Sequence, residues 1–218
     1  MKRLVFTILI AVTVLLVGCS SEVKDTTSEV LEYEGKVYNK SYQVAASTIY
    51  YSDERSILVK RAEELTLLND INKDEFASYP VLAPDQKKFA YISPFEFELK
   101  GDVYLYDIEN ETSNKIIKVG VEKNDTAKVI KWLDNERLLT IIGFGVGTVS
   151  RGGDLYLYDL KTEQLSLIKE AEKPYEEIVD VHINEKEITV DIIEWDDQFM
   201  EFIDKQTTFN YEDLMINS

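Results

Sequence analysis

The sequence predicts an all-β chain, arranged as a small or incomplete β-propeller of about four antiparallel blades. Three observations carry this expectation. Gly101-Asp102-Val103-Tyr104-Leu105-Tyr106-Asp107 returns almost letter for letter as Gly153-Asp154-Leu155-Tyr156-Leu157-Tyr158-Asp159, about fifty residues later, and an internal period of that length marks a repeat architecture. From Val30 onward the apolar period is two rather than 3.6, in runs of four to seven residues rich in Val, Ile, Tyr, Phe and Leu. Short Asp/Asn/Glu/Lys/Gly turns separate those runs. Arg61-Ala62-Glu63-Glu64-Leu65 is the nearest approach to a helix after the first segment, and it is too short to nucleate alone.

In chain order, residues 1–18 read as a cleaved leader. Lys2 and Arg3 form a basic start and Leu4 to Val17 is uncharged and apolar, the layout of a signal peptide. That run is short for a membrane span, which wants about 20 residues. Leu16-Val17-Gly18-Cys19 resembles the bacterial lipobox, which implies a diacylglyceryl (and palmitate-bearing) Cys19 as the lipid attachment point and membrane anchor. Cys19 is the single cysteine, so no disulfide framework, redox pair or thiolate metal site is available. Residues 19–29 are polar and unpatterned, a flexible tether. Residues 30–218 form the propeller-like β domain.

Within that domain the repeat sets a register. Ala83-Pro84-Asp85-Gln86 turns an entering strand (Tyr79 to Leu82) into a second one (Phe89 to Ser93), with Pro84 and Asp85 suited to the turn. Trp132-Leu133-Asp134-Asn135-Glu136-Arg137 repeats this one period later. The Gly-Asp-x-Tyr-x-Tyr-Asp strand follows each, with its aromatics on one face. A closing strand, Lys115 to Val119 or Leu165 to Lys169, ends each unit. Four antiparallel strands per unit is the pattern of a propeller blade. Two weaker units flank these: Ile49 to Leu68, and Val181 to Tyr211 with its closing strand expected in Thr207 to Tyr211. Leu31 to Tyr42, with Glu34-Gly35 as a turn, is left over and is expected to add a strand to the last unit and close the ring.

The run Ala83 to Tyr91 followed by Gly101 to Asp107 resembles the propeller repeats of TolB and of prolyl-oligopeptidase-type enzymes, over roughly Tyr79 to Lys169. The resemblance implies the fold and leaves activity open, because such blades serve scaffolds, ligand platforms and enzyme lids alike. This chain has room for about four blades where TolB-type propellers commonly carry six. It also has no counterpart of the TolB helper domain.

Charge narrows the partners. With 24 Lys+Arg against 41 Asp+Glu the net charge is −17, which argues against nucleic acid and against flat docking on anionic lipid. Low Ala with high Lys, Glu, Ile, Asn and Tyr looks like a Gram-positive proteome, which would place the anchored chain on the outer face of the cytoplasmic membrane. The expected partners are therefore the membrane, through Cys19, and an extracytoplasmic protein or wall ligand. No cofactor motif is found. The glycines of Gly143-Phe144-Gly145-Val146-Gly147 lack the Lys-Ser/Thr and helix of a phosphate loop. Asp107-Ile108-Glu109-Asn110-Glu111 lacks the EF-hand ligand order. A lone His182 builds neither a metal triad nor a Ser-His-Asp relay, so no catalytic residue or metal site is assigned.

Blade topology puts the long loops between second and third strands on one rim: Pro94 to Lys100, Phe144 to Gly152 and Trp195 to Gln198. Long loops on a rigid scaffold are where binding concentrates. The candidate binding residues are Phe95, Phe97, Phe144, Arg151, Trp195, Asp196 and Asp197, set against the plainer reading that the phenylalanines fold inward over small blade cores. The function expected is a non-enzymatic cell-surface lipoprotein that binds a protein or wall-associated ligand on this rim. The alternatives are a wall-glycan hydrolase or lyase using Glu96, Glu98, Asp196 or Asp197, and a sensor of divalent cations or small ligands.

Overall fold

The computed structural model describes residues 29–120, 124–146, 150–173, 175–184 and 187–210. The leader, Cys19 and most of the tether lie outside the described residues. The chain is all-β, in four antiparallel sheets that follow one another in sequence. The first holds β1 (Val30–Tyr33), β2 (Lys36–Val44), β3 (Ser47–Ser52), β4 (Ile57–Arg61) and β5 (Glu64–Leu67); the second holds β6 (Val81–Leu82), β7 (Lys88–Ser93), β8 (Asp102–Asp107) and β9 (Thr112–Ile117). The third holds β10 (Asp125–Trp132), β11 (Arg137–Phe144), β12 (Asp154–Asp159) and β13 (Gln164–Lys169), and the fourth β14 (Glu176–Ile183), β15 (Glu187–Trp195) and β16 (Phe202–Asn210). Each sheet is a blade of an incomplete propeller.

The repeated motif is structural at every conserved letter of its two copies. A Cβ on Gly101 would lie 2.5 Å from the Pro94 carbonyl oxygen, and one on Gly153 2.1 Å from that of Ile142, so only glycine lets the chain enter the third strand this close to the second. The first aspartate holds the chain beyond the closing strand: Asp102 accepts from Val119 N at 2.7 Å and Asp154 from Ala171 N at 2.9 Å. The last aspartate caps the following turn. Asp107 accepts from the amides of Glu109 and Asn110, and Asp159 from those of Lys161 and Thr162.

Between these ends, side chains alternate across the strand. Tyr106, with Tyr104 beside it, packs in a layer with Phe89, Tyr91, Ile49, Ile57 and Val59 of the first two sheets. Val103 and Leu105 point the other way, into a layer with Ile130, Trp132, Leu138 and Ile142 of the third sheet. One period later Tyr158 and Tyr156 face back into that same layer, and Leu155 and Leu157 face forward to Ile178, Val181, Ile188 and Val190 of the fourth. Tyrosines therefore look to the preceding blade and aliphatics to the following one. Buried aromatics of this kind each remove roughly 150–250 Å² from water. Phe89 stacks on Tyr106 at 5.0 Å and Tyr91 on Tyr104 at 5.3 Å. Burial pushes the Tyr91 hydroxyl up to about 12.

Two expectations need correction. Leu31 to Tyr42 does not join the last unit: β1 and β2 pair with one another and then with β3. The reason is local, since β3 is buried almost end to end and its edge needs a partner, which β2 supplies through the tight turn at Ala45 (φ 49). Nor does Thr207 begin a separate closing strand. Phe202 to Asn210 pairs continuously with Glu187 to Trp195, because Lys205-Gln206-Thr207 contains no residue that would break a strand. The fourth sheet thus has three strands among the described residues.

Thr140 is fully buried in the third sheet and its hydroxyl has no hydrogen-bond partner among the described residues. Thr140→Val should raise stability by about 1 kcal/mol in urea titration; a loss would reveal a partner for that hydroxyl. The backbone amides of Asn110 and Thr162 hold the Asp107 and Asp159 carboxyls below the ordinary range. Their stabilisation is present above the unfolded-chain value near 4 and lost as pH falls through the lower folded value. Asp107→Asn with Asp159→Asn should flatten the acid limb of a stability-against-pH curve; an unaltered limb would contradict the capping role.

Candidate functional site

The β3–β4 turn of the first blade and the loops after the second strands of the second and third blades share one rim and meet at a cavity of about 390 Å³. The first wall comes from the β3–β4 turn. Arg55 sits there at φ 60 and reaches across to the second blade, donating to the Phe95 carbonyl at 2.6 Å and pairing with Glu96 at 3.1 Å. Its guanidinium also lies 5.9 Å from the centre of the Phe95 ring. The loop after β7 supplies the second wall, Pro94 to Leu99. The start of β10 (Thr126, Ala127, Lys128) forms the floor, tied to the second blade by Gly101 N to Thr126 Oγ1 at 2.8 Å and Ala127 N to the Gly101 carbonyl at 3.1 Å. The third wall is Phe144, Gly145, Ser150 and Arg151.

The cavity pairs apolar rings with cations. Phe97 and Phe144 are 56% and 49% exposed, so neither folds inward. Phe95 does pack partly against the layer between second and third blades. The Lys128 amine donates to the Ser150 carbonyl at 3.0 Å and hydroxyl at 2.8 Å. Burial pushes its pKa down, with Glu177 and Asp125 acting in the opposite sense. The Arg151 guanidinium lies 5.2 Å over the Phe202 ring of the fourth blade. Its backbone amide, with that of Gly152, is accepted by Glu177.

Four of the seven expected residues therefore meet in one place: Phe95, Phe97, Phe144 and Arg151. The other three stand apart on the fourth blade. Trp195 packs against Phe199 at 6.4 Å and Phe202 at 5.0 Å, and Asp196 accepts from Met200 N at 2.8 Å, shaping its own loop. Asp197 is exposed. Arg151, lining the cavity and lying over Phe202, is the link between the two groups. Arg55, Lys128 and Ser150 belong to the site and were not singled out by the sequence. The signal for Arg55 comes only with the strand order, because β1 and β2 precede β3 in the first sheet and so put the β3–β4 turn on this rim.

His182 is less solitary than its count suggested. β14 and β15 pair so that Asp180 opposes Asp191 and His182 opposes Thr189, which brings His182 Nε2 to 2.8 Å from Asp191 Oδ2. Asp180, His182 and Asp191 offer ligand atoms all within 4.8 Å of one another. These donors already have partners: the His182 bond holds the Asp191 carboxyl below its ordinary range, and Asp180 faces the Lys131 ammonium at 3.6 Å.

Comparison with known proteins adds a family and a fold. Residues 96–210 match the model of a protein family described as a domain of unknown function, DUF4652. No curated protein matches the chain. Among solved structures, one described as a conserved lipoprotein of Clostridium novyi NT superposes with a TM-score of 0.57 at 23% identity, over 62% of this chain and 86% of that one. The β-propeller domain of the trilobed protease of Pyrococcus furiosus gives 0.49 at 17%, over 79% and 53%. A structure described as TolB of Agrobacterium tumefaciens gives 0.48 at 10%, over 84% and 73%. At these identities the likeness is one of fold alone. No helix of the described residues is long and apolar enough to cross a membrane.

The Arg55 bridge generates a test of the site's construction. Arg55→Ala should cost about 1 kcal/mol, since both partners are partly exposed, and should speed proteolytic cleavage within residues 94–100. Equal cleavage rates would mean that this loop holds its shape without the first blade.

Proposed function

Because the chain belongs to the DUF4652 family, whose description names no activity, we propose a function from its own residues: a non-enzymatic binding module. It is held on the outer face of the cytoplasmic membrane by a lipid on Cys19, and takes an extracytoplasmic protein segment or a wall-associated ligand in the rim cleft. The observation that carries this reading is the cleft itself, with two phenyl rings left in solvent beside three cations on a framework of stacked sheets. Exposed rings next to convergent polar groups are what a recognition site requires. The leader and single cysteine support the address, as does the likeness in fold to a structure described as a lipoprotein.

The hydrolase reading has less behind it. Of the carboxylates it would use, Glu96 is paired with Arg55 and Asp196 is bonded to the Met200 amide. Paired-carboxylate chemistry needs one acid and one base free to exchange protons.

The test uses the immobilised full chain with wall and membrane extracts applied in turn. The wild type should retain a component that Phe97→Ala with Phe144→Ala loses by about 10-fold or more, while Trp195→Ala keeps it. Equal retention by the double variant would remove the cleft from consideration. Cys19→Ser should leave the chain in the soluble fraction of cells; continued membrane retention would remove the anchor.

A further inference from the structure

The charges of the cleft run against those of the molecule. The chain carries −17, yet the described lining holds Arg55, Lys128 and Arg151 against Glu96 and Glu98, a surplus of one positive charge. Arg55 and Glu96 pair with each other. Among the described residues no carboxylate stands within ion-pair distance of Lys128 or Arg151. An ammonium has three N–H donors, and Ser150 accepts two of those of Lys128, leaving one. The five donors of the Arg151 guanidinium make no side-chain hydrogen bond among the described residues, and its face rests on the Phe202 ring. Lys128 is half-buried and Arg151 exposed, and a half-buried cation with a spare donor gains from an anionic partner that completes it.

We propose that the cleft takes a small organic carboxylate with an apolar body, its carboxylate received by Lys128 and Arg151 and its body laid against Phe97 and Phe144. Arg55 and Glu96 offset one another, which leaves Lys128 and Arg151 to receive a single carboxylate, whereas a doubly charged phosphate would be opposed by Glu98 and by the nearby Glu177 and Asp125. The exposed rings favour an apolar or aromatic body, which removes more apolar area from water against them than a polyhydroxylated one does. This inference rests on the cleft being the binding site and adds the chemistry of what enters it.

The test titrates the full chain, kept in detergent, with three probes: N-acetyl-Ala-Phe with a free carboxylate, its C-terminal amide, and glucuronate. Binding is read as affinity and as shifts of the amide resonances of Lys128, Phe144 and Arg151. The free acid should bind about 10-fold or more tighter than either of the other two. Lys128→Gln with Arg151→Gln should remove the preference for the acid over the amide, with the circular dichroism of the wild type. Equal affinities for acid and amide would overturn the carboxylate assignment while leaving the cleft as a binding site. Glucuronate binding as tightly as the peptide acid would overturn the apolar body. If no probe shifts cleft resonances, both this inference and the choice of cleft fail.

Discussion

Two-faced burial is the constraint from which this structure follows. A sheet whose two sides are both apolar cannot stand alone, and must be sandwiched between neighbours. The second and third blades meet that condition through side chains that alternate along each strand, tyrosine toward the blade before and aliphatic toward the blade after. The same alternation sets the spacing of the array and fixes which loops end on the same rim. The cleft is a product of that stacking, since its walls come from three blades and its floor from a strand that touches two of them.

Polar groups hold the stack in register where apolar contact alone would let it slide. The Trp132 indole of the third blade donates to the Val81 carbonyl of the second at 2.8 Å, and the Tyr51 and Tyr42 hydroxyls of the first donate to the Ala77 and Pro80 carbonyls leading into the second. Gly153 and Ile178 exchange backbone hydrogen bonds between third and fourth blades. Each joins a position near a blade's start to its neighbour.

What the sequence made legible was local. The glycine and two aspartates of the repeated strand act within about twenty residues of themselves, so their spacing announced the blade before any coordinates. Pairing of Leu31 to Tyr42 was not legible, because two sheets were equally short of a strand and nothing in Lys36 to Val44 names its partner. The long edge strand β16 was misdivided for the opposite reason: a run of six to nine apolar and polar residues fits one strand or two. At the cleft, loop lengths disclosed Phe95, Phe97, Phe144 and Arg151. Lys128 escaped notice because its role depends on Ser150 arriving from a loop over twenty residues away. His182 and Asp191 escaped for want of the hairpin register, which the turn at Asn184 would have supplied.

Hydrogen exchange followed along the whole chain tests the stacking most directly. If burial on both faces is what organises the molecule, amides of β3, β4, β7, β8, β11 and β12 exchange most slowly and open together. The edge strands β9, β13 and β16 then exchange well before them. Four sheets that each open independently, or a fourth sheet as protected as the middle two, would contradict a molecule held together by its shared layers.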